Sequence, residues 1–140
     1  MECFLCKKHA GEVAPPPGGY IYSDLHWKVC HAPLDKGPLG TLFIESKRHF
    51  LDFAEFLPDE AASYGVLLKR LYTELKKVTG ADRIYQVIML EGLPHFHAWL
   101  VPRAKEISER GIKFLEKDLS CTEPDVMELA AALRLALDHP

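Results

Sequence analysis

The chain has 140 residues, of which 48% are hydrophobic, which is enough to bury one core and predicts a single domain. Its formal net charge of −3 excludes a general electrostatic attraction to nucleic acid or to an anionic membrane. No apolar run approaches the roughly 20 residues of a membrane helix, and the N-terminus lacks the basic-then-apolar pattern of a signal peptide. We therefore expect a cytoplasmic protein with reduced thiols.

A C-x-x-C pair, Cys3 and Cys6, lies at the start of the chain. One tight turn at this spacing can direct both thiolates at a tetrahedral metal ion. Because there is no second C-x-x-C, histidine is the natural complement, and seven are available: His9, His26, His31, His49, His95, His97 and His139. Of these, His9, His26 and His139 are expected at the surface. The alternatives for the cysteines are a loose thiol pair or a redox pair, although redox pairs normally open a helix in a βαβ unit.

Three short strands are predicted in the first half of the chain, because branched and aromatic residues cluster there between turn-forming residues. They cover residues 20–23, 26–31 and 41–44. A proline- and glycine-rich linker at 15–19 precedes them, and a loop at 32–40 separates the last two. Apolar spacing from Phe50 onward then predicts a short helix, which Pro58 ends.

A longer helix is predicted at 59–79, because apolar residues recur with a period near 3.6 and Gly80 provides a stop. Its apolar face consists of Ala62, Val66, Leu67, Leu71, Leu75 and Val78. A strand at 84–90 follows, and Glu91-Gly92 turns it back into a second strand. After a charged segment at 104–120, Thr122 can cap a last helix. The apolar face of that helix consists of Val126, Leu129, Ala130, Leu133 and Leu137.

The second strand of the hairpin carries the most informative motif, Pro94-His95-Phe96-His97-Ala98-Trp99. Because side chains alternate along a strand, His95, His97 and Trp99 are expected on one face. Two imidazoles spaced two apart can serve a metal ion, a phosphoryl centre or one of each. The alternative is that both histidines are ordinary polar residues of a sheet face and that Trp99 fills space.

Three motifs together resemble the histidine triad (HIT) superfamily, which includes small nucleotide hydrolases and, more distantly, galactose-1-phosphate uridylyltransferase. They are Cys3-x-x-Cys6, Gly40-x-x-x-Ile44-x-x-Lys47-x-His49, and Pro94-His95-x-His97 with Val101-Pro102-Arg103. The resemblance implies an α+β fold, an antiparallel sheet of about five strands with one long packed helix, often as a homodimer. A single domain at 1–140 would then comprise a zinc-binding segment with linker at 1–19, a core at 20–103 and a C-terminal extension with a helix at 104–140.

The resemblance also implies chemistry. In the family the middle His of the triad attacks the α-phosphorus of a nucleotide and forms a covalent nucleotidyl-imidazole, and the matching residue is His97. Neutral imidazole is a competent nucleophile near neutral pH. The family holds its other ring nitrogen with the backbone carbonyl of the first His, here His95. Zinc-bearing members use ligands that correspond to Cys3, Cys6, His49 and His95, which would form a closed, structural zinc site.

The sequence departs from the family pattern beside the nucleophile. The third triad position is Trp99, whose indole can donate one hydrogen bond but cannot act as an acid or base. The hairpin Glu91-Gly92-Leu93-Pro94 lacks the Asn, Gln and Ser that the family often places near the phosphate. His31 stands where the family has a ribose-contacting acidic residue, and Arg103 can steer a phosphate, so both are predicted to bind the nucleotide. The alternative for Arg103 is an ordinary position on a solvated face.

Two functions from different classes follow from the resemblance. The first is an enzyme, a nucleotidyl hydrolase or transferase that acts through His97 on a nucleoside phosphoramidate, a dinucleoside polyphosphate or a similar ester. The second is a catalytically impaired, zinc-stabilised nucleotide-binding module. Retention of His97 favours the enzyme, whereas Trp99 favours the module. In both cases the expected partner is a nucleotide or nucleotide conjugate, and neither nucleic acid nor a membrane.

Overall fold

A computed structural model describes residues 2–138, so His139 lies outside the described residues. The strands form one antiparallel sheet in the order β1-β2-β3-β5-β4. They are β1 (Tyr20–Ser23), β2 (Trp27–His31), β3 (Leu42–Ser46), β4 (Arg83–Val87) and β5 (His97–Arg103). The helices are α1 (Phe4–His9), α2 (Pro58–Thr79), α3 (Ile112–Leu115) and α4 (Glu123–Leu137). The predicted α+β fold class, a five-stranded antiparallel sheet with packed helices, is confirmed.

Helices α2 and α4 pack on one face of the sheet and form the hydrophobic core with it. Side-chain alternation along β3 and β5 directs Ile44, Ala98 and Leu100 into this core. Leu71 of α2 and Leu133 of α4 meet them there, and all five residues are 0% exposed. Burying each of the large aliphatic side chains stabilises the fold by about 1.5–3 kcal/mol. The core therefore fixes the position of β5, the strand that begins at His97.

The opposite face of the sheet carries the candidate site. Phe43, Glu45, His97, Trp99 and Val101 alternate with the core residues of β3 and β5 and all line one cavity. We call these five residues the site face. Helix α1 and the segment that includes α3 lie over it.

Helix α2 matches the predicted length and part of the predicted buried face, since Leu67, Leu71 and Leu75 are buried as predicted. The helix ends at Thr79, and its C-cap is Gly80 in the left-handed conformation with φ 67°. The buried residues are Glu60, Tyr64, Leu67, Leu71 and Leu75. Val66 and Val78, predicted on the apolar face, are 65% and 38% exposed, and Ala62, also predicted there, is exposed. The buried stripe follows i, i+4, i+7 from Glu60, and the two valines lie to its side.

The segment before α2 is less helical than predicted. Only Phe53–Glu55 form a turn of 3-10 helix, which the Asp52 side chain caps. Pro58 begins α2 rather than ending a preceding helix. Proline is favoured at the first position of a helix, because the missing N–H would have no partner within the helix.

The strand with the histidines begins later than predicted. Because β4 ends at Val87 and β5 starts at His97, residues 88–96 form a loop rather than a tight turn at Glu91-Gly92. Just before β5, the Phe96 N–H donates to the Phe50 carbonyl at 2.7 Å, so it is not available to extend the pairing with β4. His95 therefore precedes the strand and does not line the cavity with His97.

Both terminal regions differ in detail from the predictions. Cys3 and Cys6 open helix α1 instead of forming an isolated turn, and the Cys6 N–H donates to Cys3 Sγ at 3.4 Å. The predicted buried face of α4 is confirmed, but the side chain of Thr122 makes no capping hydrogen bond. The charged segment at 104–120, for which no helix was predicted, contains the short α3. Within residues 2–138, no helix combines the length and apolar character needed to span a membrane.

Candidate functional site

Four side chains from three separate parts of the chain converge beside α1, with ligand atoms within 4.8 Å of one another: Cys3, Cys6, His49 and His95. The two Nδ1 atoms are 3.1 Å apart. The sulfur–Nδ1 distances are 3.3 Å from Cys3 to His95, 3.6 Å from Cys6 to His95 and 3.5 Å from Cys6 to His49. Zinc bound tetrahedrally by two thiolates and two imidazoles needs nitrogen–sulfur separations of about 3.5 Å and a nitrogen–nitrogen separation of about 3.3 Å. The cluster is therefore compatible with zinc.

His95 is held in the tautomer that a metal ligand requires. Its Nε2–H donates to the Ser46 carbonyl at 2.7 Å, which leaves the lone pair on Nδ1, the atom that faces the other three side chains. Burial lowers the pKa of His95 below its ordinary value and so favours the neutral ring. Cys3 is buried with it, whereas Cys6 and His49 are exposed. The cluster thus lies at the surface with one side sealed by the fold.

His97 lies at the start of β5, two residues beyond this cluster. Its Nδ1–H donates to the backbone carbonyl of His95 at 2.8 Å, which leaves the lone pair on Nε2. The residue is 8% exposed and lines a cavity of about 580 Å³, within the range of roughly 300–1,000 Å³ found for small-molecule sites. One residue, His95, therefore connects the Cys/His cluster to the ring that faces the cavity.

Apolar side chains dominate the lining of this cavity. Trp99 forms part of its floor, and its ring packs edge-to-face against Phe43 with centroids 4.6 Å apart. Leu5 of α1 and Leu93 of the loop before β5 contribute to the walls. The charged residues of the lining are Asp35, Lys36, Glu45, Lys117 and Asp118. Trp99 is placed beside His97 as expected, in contact with an aromatic ring.

Glu45 is a buried carboxylate directly opposite His97 on β3, and the sequence reasoning did not find it. Its oxygens accept hydrogen bonds from Lys8 Nζ at 2.6 Å, His9 Nε2 at 2.9 Å and the Tyr20 hydroxyl at 2.9 Å. Burial would raise the pKa of Glu45, but the hydrogen bond from His9 and the charge of Lys8 outweigh that effect. Together they lower the pKa to about 2.

The sequence contained one signal for this network. Glu45 directly continues the apolar run Leu42-Phe43-Ile44, and a charged residue in a buried strand requires a partner. The partner side chains come from α1, and the sequence could not place that helix. His9, expected at the surface, is only 14% exposed in its side chain because it meets this carboxylate.

His31, predicted to contact a nucleotide, is buried with other partners. Its Nδ1 lies 2.7 Å from the carbonyl oxygen of Ala32, and its Nε2 accepts a hydrogen bond from the Gly40 N–H at 2.9 Å. The imidazole therefore ties together the two ends of the loop at 32–40. It does not line the cavity beside His97.

Arg103, the second residue predicted to contact a nucleotide, is at the other end of β5 from His97. It is 2% exposed and donates to the Asp82 carboxylate at 3.1 Å and to the Ile107 carbonyl at 3.3 Å. Like His31, it lies outside the cavity lining. Its observed contacts join the sheet to the segment that follows β5.

Comparison with known proteins gives no match to a protein-family model and none to a curated protein. Solved structures do match. A zinc-bound histidine triad family protein from Mycobacterium smegmatis is 22% identical, with 99% of this chain and 94% of that chain covered and a TM-score of 0.72. A hypothetical histidine triad nucleotide-binding protein from Sulfolobus tokodaii is 16% identical, with 97% and 92% covered and a TM-score of 0.73. A HIT-like protein involved in cell-cycle regulation from Bartonella henselae is 16% identical, with 94% and 93% covered and a TM-score of 0.71.

The chain therefore has the histidine triad fold. Identities of 16–22% establish the fold alone. The coverage of 94–99% shows that the similarity extends over nearly the whole chain. It includes the region after residue 103, which carries none of the motifs of the family.

Proposed function

We propose that this chain is a zinc-stabilised nucleotide-binding protein that hydrolyses or transfers a nucleotidyl group through His97. The observation that carries the proposal is the hydrogen bond from His97 Nδ1 to the His95 carbonyl, which leaves Nε2 as the nucleophilic atom in a ring that lines a ligand-sized cavity. Several structures with this fold are histidine triad proteins, and one is described as nucleotide-binding.

The proposed reaction has two displacements at phosphorus. The Nε2 lone pair of His97 attacks the α-phosphorus, the bond from phosphorus to the leaving group breaks, and that group departs with the electron pair and takes a proton from water. The ring then carries the nucleotidyl group on Nε2 and a positive charge, which the His95 carbonyl stabilises through Nδ1–H. Water or another acceptor attacks the phosphorus and gives its proton to the hydroxide that the first step left in solution. The phosphorus–Nε2 bond breaks, its electron pair returns to Nε2 and neutral His97 is restored.

A metal fits this proposal as a structural element. Cys3, Cys6, His49 and His95 would hold zinc, and four protein ligands leave no open position. Bound zinc supplies a cross-link between α1, the residues after β3 and the residues before β5. Because His95 also provides the carbonyl that orients His97, the same four residues would keep the nucleophile in position.

A second function, nucleotide binding without turnover, is favoured by the environment of His97. Trp99 replaces a residue that could transfer a proton, and Glu45 adds a carboxylate to the cavity. Within the cavity lining of the described chain, the cationic side chains are Lys36 and Lys117. A site with few cations stabilises an attacked phosphate poorly.

The two functions are separated by one experiment. Wild-type protein is incubated with adenosine 5′-phosphoramidate, release of AMP is measured, and the protein is analysed by mass spectrometry after a rapid quench for an adenylyl group on His97. His97→Ala should abolish release and the adduct while the protein remains folded and retains its zinc. His26→Ala, a half-buried histidine away from the cavity, is the matched control and should behave as wild type.

Equal AMP release by His97→Ala would refute the enzyme proposal. Binding of AMP by the wild type with neither release nor adduct would assign the chain to the binding-module function.

A further inference from the structure

Two different environments lie above the side of the sheet that carries the site face. One half is filled by polar side chains, and the other half is open to the cavity. In the filled half, Lys8 and His9 of α1 reach down to Glu45. Lys8 Nζ also contacts Cys30 Sγ at 3.3 Å, and Tyr20 closes the network from β1. This polar network occupies the space above β2 and beside Glu45, and Lys8, His9, Tyr20 and Cys30 are not among the cavity-lining residues. A ligand that reaches His97 therefore extends away from the network.

The open half runs along β5 toward β4. From His97 through Trp99 to Val101 the strand rises by about 13 Å, and all three residues line the cavity. Val87 of β4 lines it beside them, paired with Trp99 in the sheet. The cavity therefore extends from His97 along β5 and onto β4, and we call this part of the cavity the slot.

Residues 111–121, which we call the cap segment, form the wall opposite this part of the sheet. Phe114, Leu115 and Leu119 of the cap segment line the cavity. The ring of Phe114 is 1% exposed and stacks on Tyr85 with centroids 5.5 Å apart. The slot thus has apolar side chains on both its floor and its wall.

The cap segment is held by a backbone hydrogen bond at each end. At its start, the Gly111 N–H donates to the Tyr85 hydroxyl at 2.8 Å. At its end, the Cys121 N–H donates to the Leu34 carbonyl at 3.0 Å. Leu34 belongs to the loop whose residues Asp35 and Lys36 line the cavity. These contacts make the cap segment a fixed part of the cavity.

Charge further restricts what the slot can hold. The cavity lining has two lysines, Lys36 and Lys117, and three carboxylates, Asp35, Glu45 and Asp118. A chain of phosphates would place additional negative charges against this lining, which is unfavourable in a partly desolvated site. An uncharged flat ring buries apolar area there without that cost.

We propose that the cap segment and Trp99 bind the nucleobase, so that the base lies over β5 and β4 while the α-phosphate meets His97. This inference rests on the proposed function and gives the C-terminal extension a role in ligand binding. It predicts a ligand with one phosphate between the nucleoside and an uncharged group, rather than a polyphosphate.

The test compares AMP with ribose 5-phosphate, which lacks the base, by isothermal titration calorimetry on zinc-loaded protein. Wild type should bind AMP at least about tenfold more tightly, because only AMP places an apolar ring in the slot. Leu119→Glu should lower AMP affinity by about tenfold or more and leave the affinity for ribose 5-phosphate unchanged. Ile112→Glu is the matched control, since Ile112 belongs to the same segment but is 71% exposed and outside the cavity lining.

Leu119→Ala serves as a second variant if Leu119→Glu does not fold, and zinc content and melting temperature are measured for each protein. Equal AMP affinities for wild type and Leu119→Glu would refute the inference and leave the proposed function intact.

The fluorescent anion 8-anilinonaphthalene-1-sulfonate tests the slot without a nucleotide. Binding of this dye but not of AMP by wild type, with dye binding lost in Leu119→Glu, would show that the apolar slot exists and that its assignment to a nucleotide is wrong. If wild type binds neither ligand, both the inference and the proposed function are wrong.

Discussion

Replacing Glu45 by Gln should destabilise the protein strongly although the side chain keeps its shape. The wild-type carboxylate is 0% exposed and accepts the ammonium hydrogen of Lys8, whose side chain is 8% exposed. The amide of Gln cannot balance that positive charge. Lys8 would then be left as a buried cation without its counter-charge, which is among the most costly changes in a folded protein.

Two estimates of the magnitude agree. The pKa of Glu45 falls from 4.5 to about 2 on folding. This shift corresponds to a contribution of Glu45 to the free energy of unfolding on the order of 3 kcal/mol near neutral pH. Removing one partner of a buried ion pair costs about 3–5 kcal/mol in other proteins. We therefore expect Glu45→Gln to lower the free energy of unfolding by about 3 kcal/mol at pH 7.

The assay is urea-induced unfolding of zinc-loaded protein, followed by tryptophan fluorescence between pH 7 and pH 3. Because the pKa of Glu45 is lower in the folded state, its stabilising effect is complete above the unfolded pKa of 4.5 and is lost as the pH falls from about 5 toward 2. The difference between wild type and variant should shrink over that range. Loss of metal at low pH affects both proteins. The difference between their free energies of unfolding therefore reports the effect of the Glu45 carboxylate.

Two further variants control the interpretation. Glu74→Gln breaks an ion pair at 3.5 Å with Lys77, whose side chain is 68% exposed, and should cost less than about 0.5 kcal/mol. Lys8→Met combined with Glu45→Gln should recover part of the loss, because it removes the unpaired cation. The reasoning would be refuted by a loss below about 1 kcal/mol at pH 7, or by a difference that does not change with pH.

Two predictions concern the metal cluster and the third triad position. Purified protein should contain about one zinc per chain. Cys6→Ser should reduce that content, lower the melting temperature and expose α1 to hydrogen exchange, because metal binding contributes to folding in such sites. Cys121→Ser, outside the cluster, should retain zinc; full zinc content in Cys6→Ser would contradict the ligand assignment. Trp99→His should raise kcat for AMP release from adenosine 5′-phosphoramidate, since a general acid is typically worth about 10² to 10⁴ in rate, and it should also raise KM, since it removes a ring proposed to bind the base. No gain with intact zinc and fold would show that a histidine at 99 does not reach the leaving group.

Local patterns in the sequence determined most of the secondary structure. The five buried positions of α4 were predicted from helical spacing alone, since that helix meets the rest of the protein along one continuous stripe. Helix α2 was predicted within one residue at its start and ended as expected at Gly80. Its buried face was predicted only in part, at Leu67, Leu71 and Leu75. The burial of Glu60 was not predicted, because it depends on Arg48, which is 12 residues away and donates to both carboxylate oxygens. The order of motifs indicated the histidine triad fold, and the similarity to solved structures with that fold, at TM-scores of 0.71–0.73, confirms it.

Only the tertiary structure decided which distant residues share a site. The motifs named Cys3, Cys6, His49 and His95 through resemblance, and the fold brings them together. No local pattern indicated that α1 places Lys8 and His9 on Glu45, or that the cap segment covers the cavity beside His97. The contacts with Glu45 join residues 36 and 37 positions apart. Both sets of contacts form only when the helix and the cap segment dock on the sheet. Periodicity reports which side of an element is buried, whereas the partner of a buried charge is set by how the elements pack.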